Sequence, residues 1–325
     1  MPMDGLTLGF ATREMNAILP GGRIDRITQP EKDTIVLLVR AGAANHRLLL
    51  CASPNNARCH FTNLNFPNPL EPPMFCMLLR KHLSGAKLLD VAQLPMERSA
   101  VFTFDCTDEM GFPVEKKLVA ELMGRTCNLY LLSPEGRILD CLRRIGLDES
   151  AKRPALPGLI YQQPEKVSKE DPAQTEDFLP FLTRPGADLL ADRLMDTFGG
   201  LSPLVCREAA LFAAGDVDAR VEGLEAANLA HKLALFFREH LSHPRPWLYC
   251  LPDGTPKQYA FCPIRQYGGS CQEAASFGVL LDSYYTIRDR KDAMRQKSQA
   301  VRKTVQNLCS RLTRKLALQE KELEA

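Results

Sequence analysis

The sequence predicts an α+β fold in which a strand-rich first half, a compact helical insert, a short return of strands and one long helix follow in that order. Three observations carry this reading. Residues 1 to about 150 alternate short apolar runs with turn residues. Residues 186–243 switch to helical spacing, and residues 279–325 contain neither Gly nor Pro. At 325 residues, 45% of them hydrophobic and 25% charged, the chain is long enough to bury a substantial core and to divide into more than one unit.

In the first half, strand signals fall at 23–29, 35–39, 47–51, 100–105, 117–123, 127–132 and 138–142. Gly21-Gly22, the SPNN run at 53–56 and the SPEG run at 133–136 each separate two apolar runs, so neighbouring strands are expected to run antiparallel. Helical patterns interrupt the strands at 12–18 and 72–83, where Pro72 and Pro73 suit a first turn and Gly85 suits the stop. A linker rich in Pro, Lys, Glu, Asp and Gln is expected over 147–185, running across the surface.

The insert reads as helices at 188–198, 202–214 and 222–241. Ser202-Pro203 pairs an N-cap residue with proline at the first helical position, and Gly199-Gly200 stops the helix before it. Strand chemistry returns at 247–250, 258–262 and 264–267 with Asp-Gly and Gly-Gly turns, and these strands are expected to rejoin the first sheet. In the last helix Met294, Ser298, Val301, Val305, Leu308 and Leu312 alternate four-three, a period of about 3.5 that wants a partner helix. Such a seam must be covered to stabilise the helix. The chain stops at KELEA without a capping signal, so a further segment supplying the returning helix of a coiled coil is expected, the alternative being that the helix folds back on the body.

The net charge of +2 conceals a local excess. Residues 288–315 carry ten Lys and Arg residues against only Asp289 and Asp292. A stripe of this kind attracts phosphate backbones through counterion release, or acidic protein, without reading sequence.

No apolar run reaches the ~18 residues of a membrane span, and the start MPMDGLTLGFATREM lacks the basic and apolar blocks of a signal peptide, so no membrane partner and a cytoplasmic location are expected. The eleven cysteines are an odd number scattered through apolar stretches and read as buried small hydrophobes. The nearest pairs, Cys51 with Cys59 and Cys262 with Cys271, are too widely spaced for a CxxC knuckle, and the six histidines form no paired pattern. Neither a metal nor a cofactor is expected. With no organised nucleophile, P-loop or Rossmann glycine fingerprint, the reading is a binding module with no catalytic residues rather than an enzyme.

An ordered series of phrases carries a resemblance: MDGLTL at 3–8, GGRIDRITQP at 21–30, SPNNARCHFT at 53–62, PPMFCMLLRKHLSG at 72–85, ELMGRTCNLYLL at 121–132, Tyr161-Gln162 after Pro157-Gly158, and FGGLSP at 198–203. Together they resemble the N-terminal domain of the RqcH/NEMF family, the NFACT-N domain, historically the fibronectin-binding protein A family of bacteria. The resemblance implies a glycosylase-like two-sheet β unit with a helix-two-turns-helix insert and the start of a long coiled-coil helix. The implied domains are a β-rich domain at 1–170, the helix-two-turns-helix domain at 171–243, returning strands at 244–280 and the first part of the coiled coil at 281–325. It further implies a tRNA- and rRNA-binding quality-control factor that engages an obstructed large ribosomal subunit with its peptidyl-tRNA. That factor recruits charged tRNA, alanyl-tRNA in bacteria, for template-free C-terminal tailing.

The resemblance also implies site residues. The family carries an acidic-Arg pair, usually Asp-Arg, and the matching position holds Glu97-Arg98; the added methylene puts the pair's geometry in question. A carboxylate beside an Arg at a strand entrance can hold the guanidinium toward a phosphate or base edge. The segment 121–125 matches one implicated in contact with the tRNA anticodon arm. Glu121 is expected to accept from a base amine, Leu122 and Met123 to pack against exposed bases, Gly124 to permit close approach, and Arg125 to assist. Periodicity places at least one of Leu122 and Met123 in the core. Ser202, at a helix N-terminus with Arg207 nearby, reads either as a phosphate site or as a helix-helix corner. Two other functions stay in view. A DNA glycosylase would need an N-terminal Pro followed by Glu, where this chain has Met1-Pro2-Met3-Asp4, and the family's older name points to a fibronectin-binding surface adhesin.

Overall fold

The computed structural model describes residues 3–148, 150, 153–165 and 168–323. Met1 and Pro2, on which the glycosylase comparison turns, lie outside the described residues, as do the last two residues of KELEA and the side chain of Lys297 in the basic run.

The first half contains α1 (Gly5–Ile18), β1 (Arg23–Glu31), β2 (Thr34–Ala41), β3 (Ala44–Cys51), β4 (Arg58–Phe61), α2 (Met74–Leu83), β5 (Lys87–Gln93), β6 (Ser99–Thr107), β7 (Pro113–Glu121), β8 (Asn128–Leu132) and β9 (Ile138–Cys141). All nine strands join one antiparallel sheet in the order β4-β3-β2-β1-β5-β6-β7-β8-β9. Two sheets were the expectation. The structure gives a single sheet with a weak middle, because β1 and β5 share only the pair Arg23 with Lys87 while every other neighbouring pair of strands is paired over several residues.

Helix α1 begins seven residues before the expected 12–18. Asp4 caps it by accepting from the Thr7 amide at 2.7 Å. Gly5 and Gly9 weaken helix propensity in that first stretch, and packing compensates: a Cβ on Gly5 would run into the Met96 carbonyl and the Gly200 Cα.

Beyond β9 lie α3 (Leu179–Thr183), α4 (Leu190–Thr197), α5 (Pro203–Ala214), α6 (Ala226–Ser242), β10 (Trp247–Cys250), β11 (Pro256–Ala260), β12 (Cys271–Glu273) and α7 (Phe277–Leu323). The segment expected as a surface linker is in part core. Ala155 pairs with Ile145, Ile160 bridges to Arg137, and Phe178 and Phe181 are buried. Phe178 stacks on Phe237 with ring centroids 5.4 Å apart and sits 5.3 Å from Phe198, which ties α3 to α6 and to the end of α4.

The late strands do not rejoin the first sheet; they form their own, in the order β11-β10-β12. Residues 264–267 are not a strand at all. Glu208 of α5, buried, accepts from the amides of Arg265 and Gln266 at 3.0 Å and so removes the donors a ladder would need. Phe10 of α1 joins the two parts, packing on Phe261 beside β11 at 5.2 Å and on Phe277 of α7 at 5.6 Å.

Helix α7 is fixed at its root. Phe277, Leu280, Leu281, Tyr284 and Tyr285 are buried. Buried Arg58 of β4 donates to Asp289 at 2.6 Å and lies over the Tyr285 ring at 4.5 Å. Asn56 donates to Asp289 and Asp292, and Thr62 to Asp282. From Met294 outward the four-three seam is open, with Met294 75% and Leu312 65% exposed. Eight cysteines are buried, as their apolar sequence context predicts.

Candidate functional site

Five stretches meet at one cavity of about 830 Å³: the cap of α1, the β5–β6 hairpin, Met123 after β7, Ser168-Lys169 and the α4–α5 corner. The hairpin turns on Met96, whose φ of +59° is the single positive value at a non-glycine residue among those described. Such a conformation costs on the order of 1–3 kcal/mol and persists only where surrounding contacts enforce it. Here they do. Glu97 donates its amide to the Leu94 carbonyl at 2.9 Å, Leu94 to Ser99 at 3.0 Å, and the Gln93 amide group donates to the carbonyls of Gly5 and Glu97. The Leu6 amide reaches the Gly200 carbonyl at 3.0 Å, drawing the α4–α5 corner onto α1. Gly200, at φ +73°, takes a left-handed conformation that favours glycine.

Glu97, Arg98, Met123 and Ser202 all line this cavity. The sequence placed them in separate motifs; the fold brings them together. Glu97 and Arg98 are half-buried, and among the described residues neither side chain forms an ion pair. The expectation that Glu97 orients Arg98 is therefore corrected. The carboxylate that feels Arg98 is Asp4, buried in the wall: burial raises its pKa above the ordinary carboxylate value, while hydrogen bonds from Thr7 and Ser202 and the Arg98 charge pull the other way. Lys169, also at the cavity, donates to the Met195 carbonyl at 2.5 Å. Met3, Met96, Met123, Met195 and Phe198 supply soft apolar walls. A guanidinium with no ion pair among the described residues, a lysine and polarizable side chains around a space of ligand size make a site for an anionic group with a flat apolar body.

The remaining site residues lie elsewhere. Glu121 is fully buried, accepting from Arg153 at 2.6 Å and from the Tyr161 hydroxyl at 2.6 Å. It is not open to a base amine, which corrects that expectation. Burial and the Glu121 carboxylate push the neighbouring Tyr130 phenol up to about 12. Leu122 is core, with no exposed surface. Of the two apolar residues expected to divide between core and surface, it is Met123 that faces the cavity. Arg125 is exposed on a short 3-10 turn, Gly124–Thr126, beside Met123.

Ser202 caps α5, accepting from the Val205 amide at 3.5 Å, and is nearly buried. Arg207 lies outside the cavity lining and pairs with Asp218 at 3.1 Å, so the two residues of the possible phosphate site are not brought to one cavity. A helix turns its side chains by about 100° per residue, and five positions carry Arg207 away from the Ser202 end. Asp4 and Lys169 were missed from the sequence. Asp4 had a signal, standing one residue before Gly5 with Thr7 three residues on, the spacing of an N-cap; Lys169 had none.

The family described as NFACT N-terminal and middle domains matches residues 4–325. The chain is 32% identical over 337 residues to the Rqc2 homolog RqcH of Bacillus subtilis, covering 100% of this chain and 56% of that protein. It is 29% identical over 326 residues to the Rqc2 homolog RqcH of Streptococcus pneumoniae serotype 2, covering 100% of this chain and 55% of that protein. The chain thus spans about half the length of the curated relatives it matches. Among solved structures, the N-terminal part of the fibronectin/fibrinogen-binding protein from Streptococcus suis superposes with a TM-score of 0.72 at 30% identity, covering 87% of this chain and 98% of that one.

Proposed function

The chain belongs to the family of NFACT N-terminal domains shared by the RqcH and NEMF proteins, and from that premise we propose that it is the tRNA-binding module of a cytoplasmic, ribosome-associated quality-control factor. The whole factor engages an obstructed large ribosomal subunit carrying peptidyl-tRNA and recruits charged tRNA, alanyl-tRNA in particular, for template-free C-terminal tailing. The module binds and positions; it supplies no catalytic residue.

The observation that carries the reading is the cavity where Arg98, in no ion pair among the described residues, converges with Met123 and Lys169. A phosphate or base edge would meet the fork of Arg98, and an unstacked base would lie against the methionines. Arg125, exposed beside Met123, extends this surface, and the basic shaft of α7 adds phosphate contacts outside it. The exposed seam of α7 supports pairing with a second helix, the start of a coiled coil. The helical corner beside the cavity supports a glycosylase-like arrangement turned from chemistry to binding.

Filter binding of unfractionated tRNA tests the reading. Affinity is expected to fall steeply between about 50 and about 200 mM salt as counterions compete for the phosphates. Affinity that does not change with salt would sink the phosphate-contact reading. The name of the Streptococcus suis neighbour keeps a second reading in view, fibronectin binding; capture of fibronectin by a chain that ignores tRNA would favour it.

A further inference from the structure

Three cations stand side by side across the middle of the large sheet. Lys87 of β5 is the register partner of Arg23 of β1, and Arg23 is the partner of Arg40 of β2. Register partners share a face, on strands about 4.8 Å apart, and all three side chains are exposed. Two residues along β2, Leu38 has Arg26 as its partner on one side and Arg47 on the other, both exposed. Five cations therefore cover four adjacent strands. Among the described residues none of the five is ion-paired. The acidic groups nearest in register are Asp105, the partner of Lys87 on β6, and Asp25 in the bulge before Arg26.

Like charges set directly opposite one another weaken a sheet. Stability is not what this row serves, and the imbalance deepens at one end. Arg23 and Lys87 border a cavity of about 360 Å³ that is also lined by Lys81, His82 and Asp105, and Lys81 pairs with the exposed Glu109 at 3.1 Å. Behind His82, Lys116 is buried, its ammonium donating to His82 Nδ1 at 3.1 Å, and among the described residues it has no carboxylate partner. An imidazole that accepts is neutral, so among the described residues the buried ammonium has no carboxylate to compensate it. The carbonyls ending α2 supply about half a negative charge, and Arg23 donates to one just beyond, that of Gly85, at 3.0 Å. With Lys81 taken by Glu109, three cations, Arg23, Lys87 and Lys116, remain against Asp105 and that partial charge.

We propose that the Lys87–Arg23–Arg40 row, together with Arg26 and Arg47, is a second phosphate-binding surface that grips the backbone of a structured RNA away from the Arg98 cavity. Lys87 and Gln93 begin and end β5, which separates the two places by about 20 Å. The inference rests on the reading of the chain as an RNA-binding module and adds where the backbone is held. An RNA backbone fits better than an acidic protein because protein interfaces deplete Asp and Glu, whereas a nucleic-acid strand carries a phosphate charge at every nucleotide, and the four guanidinium forks match phosphate oxygens in pairs.

The test is tRNA binding across a salt series by the 325-residue chain carrying Arg23→Gln, Arg40→Gln and Lys87→Gln together. The slope of log affinity against log salt is expected to fall by about two to three, at about 0.9 for each phosphate no longer neutralised, with about tenfold weaker binding at low salt. The variant is expected to melt at or above the parent, since repulsion is removed. A companion with Arg23→Lys and Arg40→Lys keeps the charge and is expected to keep the slope. Unchanged slope and affinity in the Gln variant, while Arg98→Ala weakens binding, overturn this surface and leave the module reading standing. A parent that binds no tRNA overturns both. Polyglutamate bound as tightly as tRNA, and lost equally in the Gln variant, overturns the assignment to RNA.

Discussion

Glu97 and Glu121 stand close to one another at the ends of neighbouring strands, since Ser99 and Glu121 are register partners, yet the fold gives them opposite roles. Glu97, with Arg98, sits half-buried at a cavity and forms no ion pair among the described residues; Glu121 is sealed in, holding Arg153 and Tyr161. The difference is made by residues 32 and 40 positions further on, which return over the strand end and claim one carboxylate but not the other. A charged residue in a recognisable motif is available for binding only if nothing later in the chain has already taken it.

The sharpest way to break this comparison is Glu121→Ala. Removing one member of a buried ion pair costs about 3–5 kcal/mol, and the partial exposure of Arg153 moves the expectation toward about 2–4 kcal/mol, read by urea unfolding. Tyr161 is left with its hydroxyl unpaired, which adds to the loss. Affinity for tRNA, measured where the variant is still folded, is expected to stay near the parent's. A variant that unfolds like the parent but loses tRNA would reverse the roles of the two carboxylates.

Arg98→Ala comes next and moves the other quantity. Loss of a charge-assisted hydrogen bond is expected to weaken tRNA binding by about 1–3 kcal/mol while melting barely changes. Arg98→Lys keeps the charge without the planar fork and is expected to lie close to Arg98→Ala. Binding by Arg98→Ala at the parental level would leave the cavity without its central residue.

The smallest effect separates Asp4 from both glutamates. Its pKa is raised in the folded state, so the folded protein holds that proton more tightly than the unfolded chain does. Stability linked to Asp4 is therefore complete below its unfolded value, near 4, and declines as pH rises through the folded value. Asp4→Asn still caps α1 and carries no charge to bury. It is expected to melt like the parent near pH 4 and at a higher temperature than the parent at pH 7. A parent that gains on the variant as pH rises would show that the Arg98 attraction outweighs burial.

How far the sequence could be read depended on whether a signal was local. Strands at 47–51, 100–105 and 127–132, and the Ser202-Pro203 start of α5, were legible because alternation and capping act within a few residues. Strand β4 was missed because its four residues, Arg58–Phe61, include a buried Arg and His whose partners come largely from elsewhere in the chain. Strand β5 was missed because Asp90 and a bulge between Leu88 and Asp90 break its alternation. The cavity was legible only in pieces: Glu97-Arg98, Met123 and FGGLSP carried no mark that they meet, and the contact of Gly5 with Met96 and Gly200 that joins them is wholly tertiary.

Helix α7 runs 47 residues, about 70 Å at 1.5 Å per residue, but its clamp occupies only the first few turns. It is a beam built in at one end. The polar pins of that clamp, Asn56, Arg58 and Thr62, all come from β4 and its immediate flanks, the edge of the sheet. A tilt of about 5° at Asp289 would swing the far end by about 4 Å over the ~50 Å beyond it. A four-residue strand thus acts as the fulcrum that sets where the beam aims, and an alteration at Arg58, buried and paired with Asp289, would loosen the root of the beam and turn its bearing at a distance together.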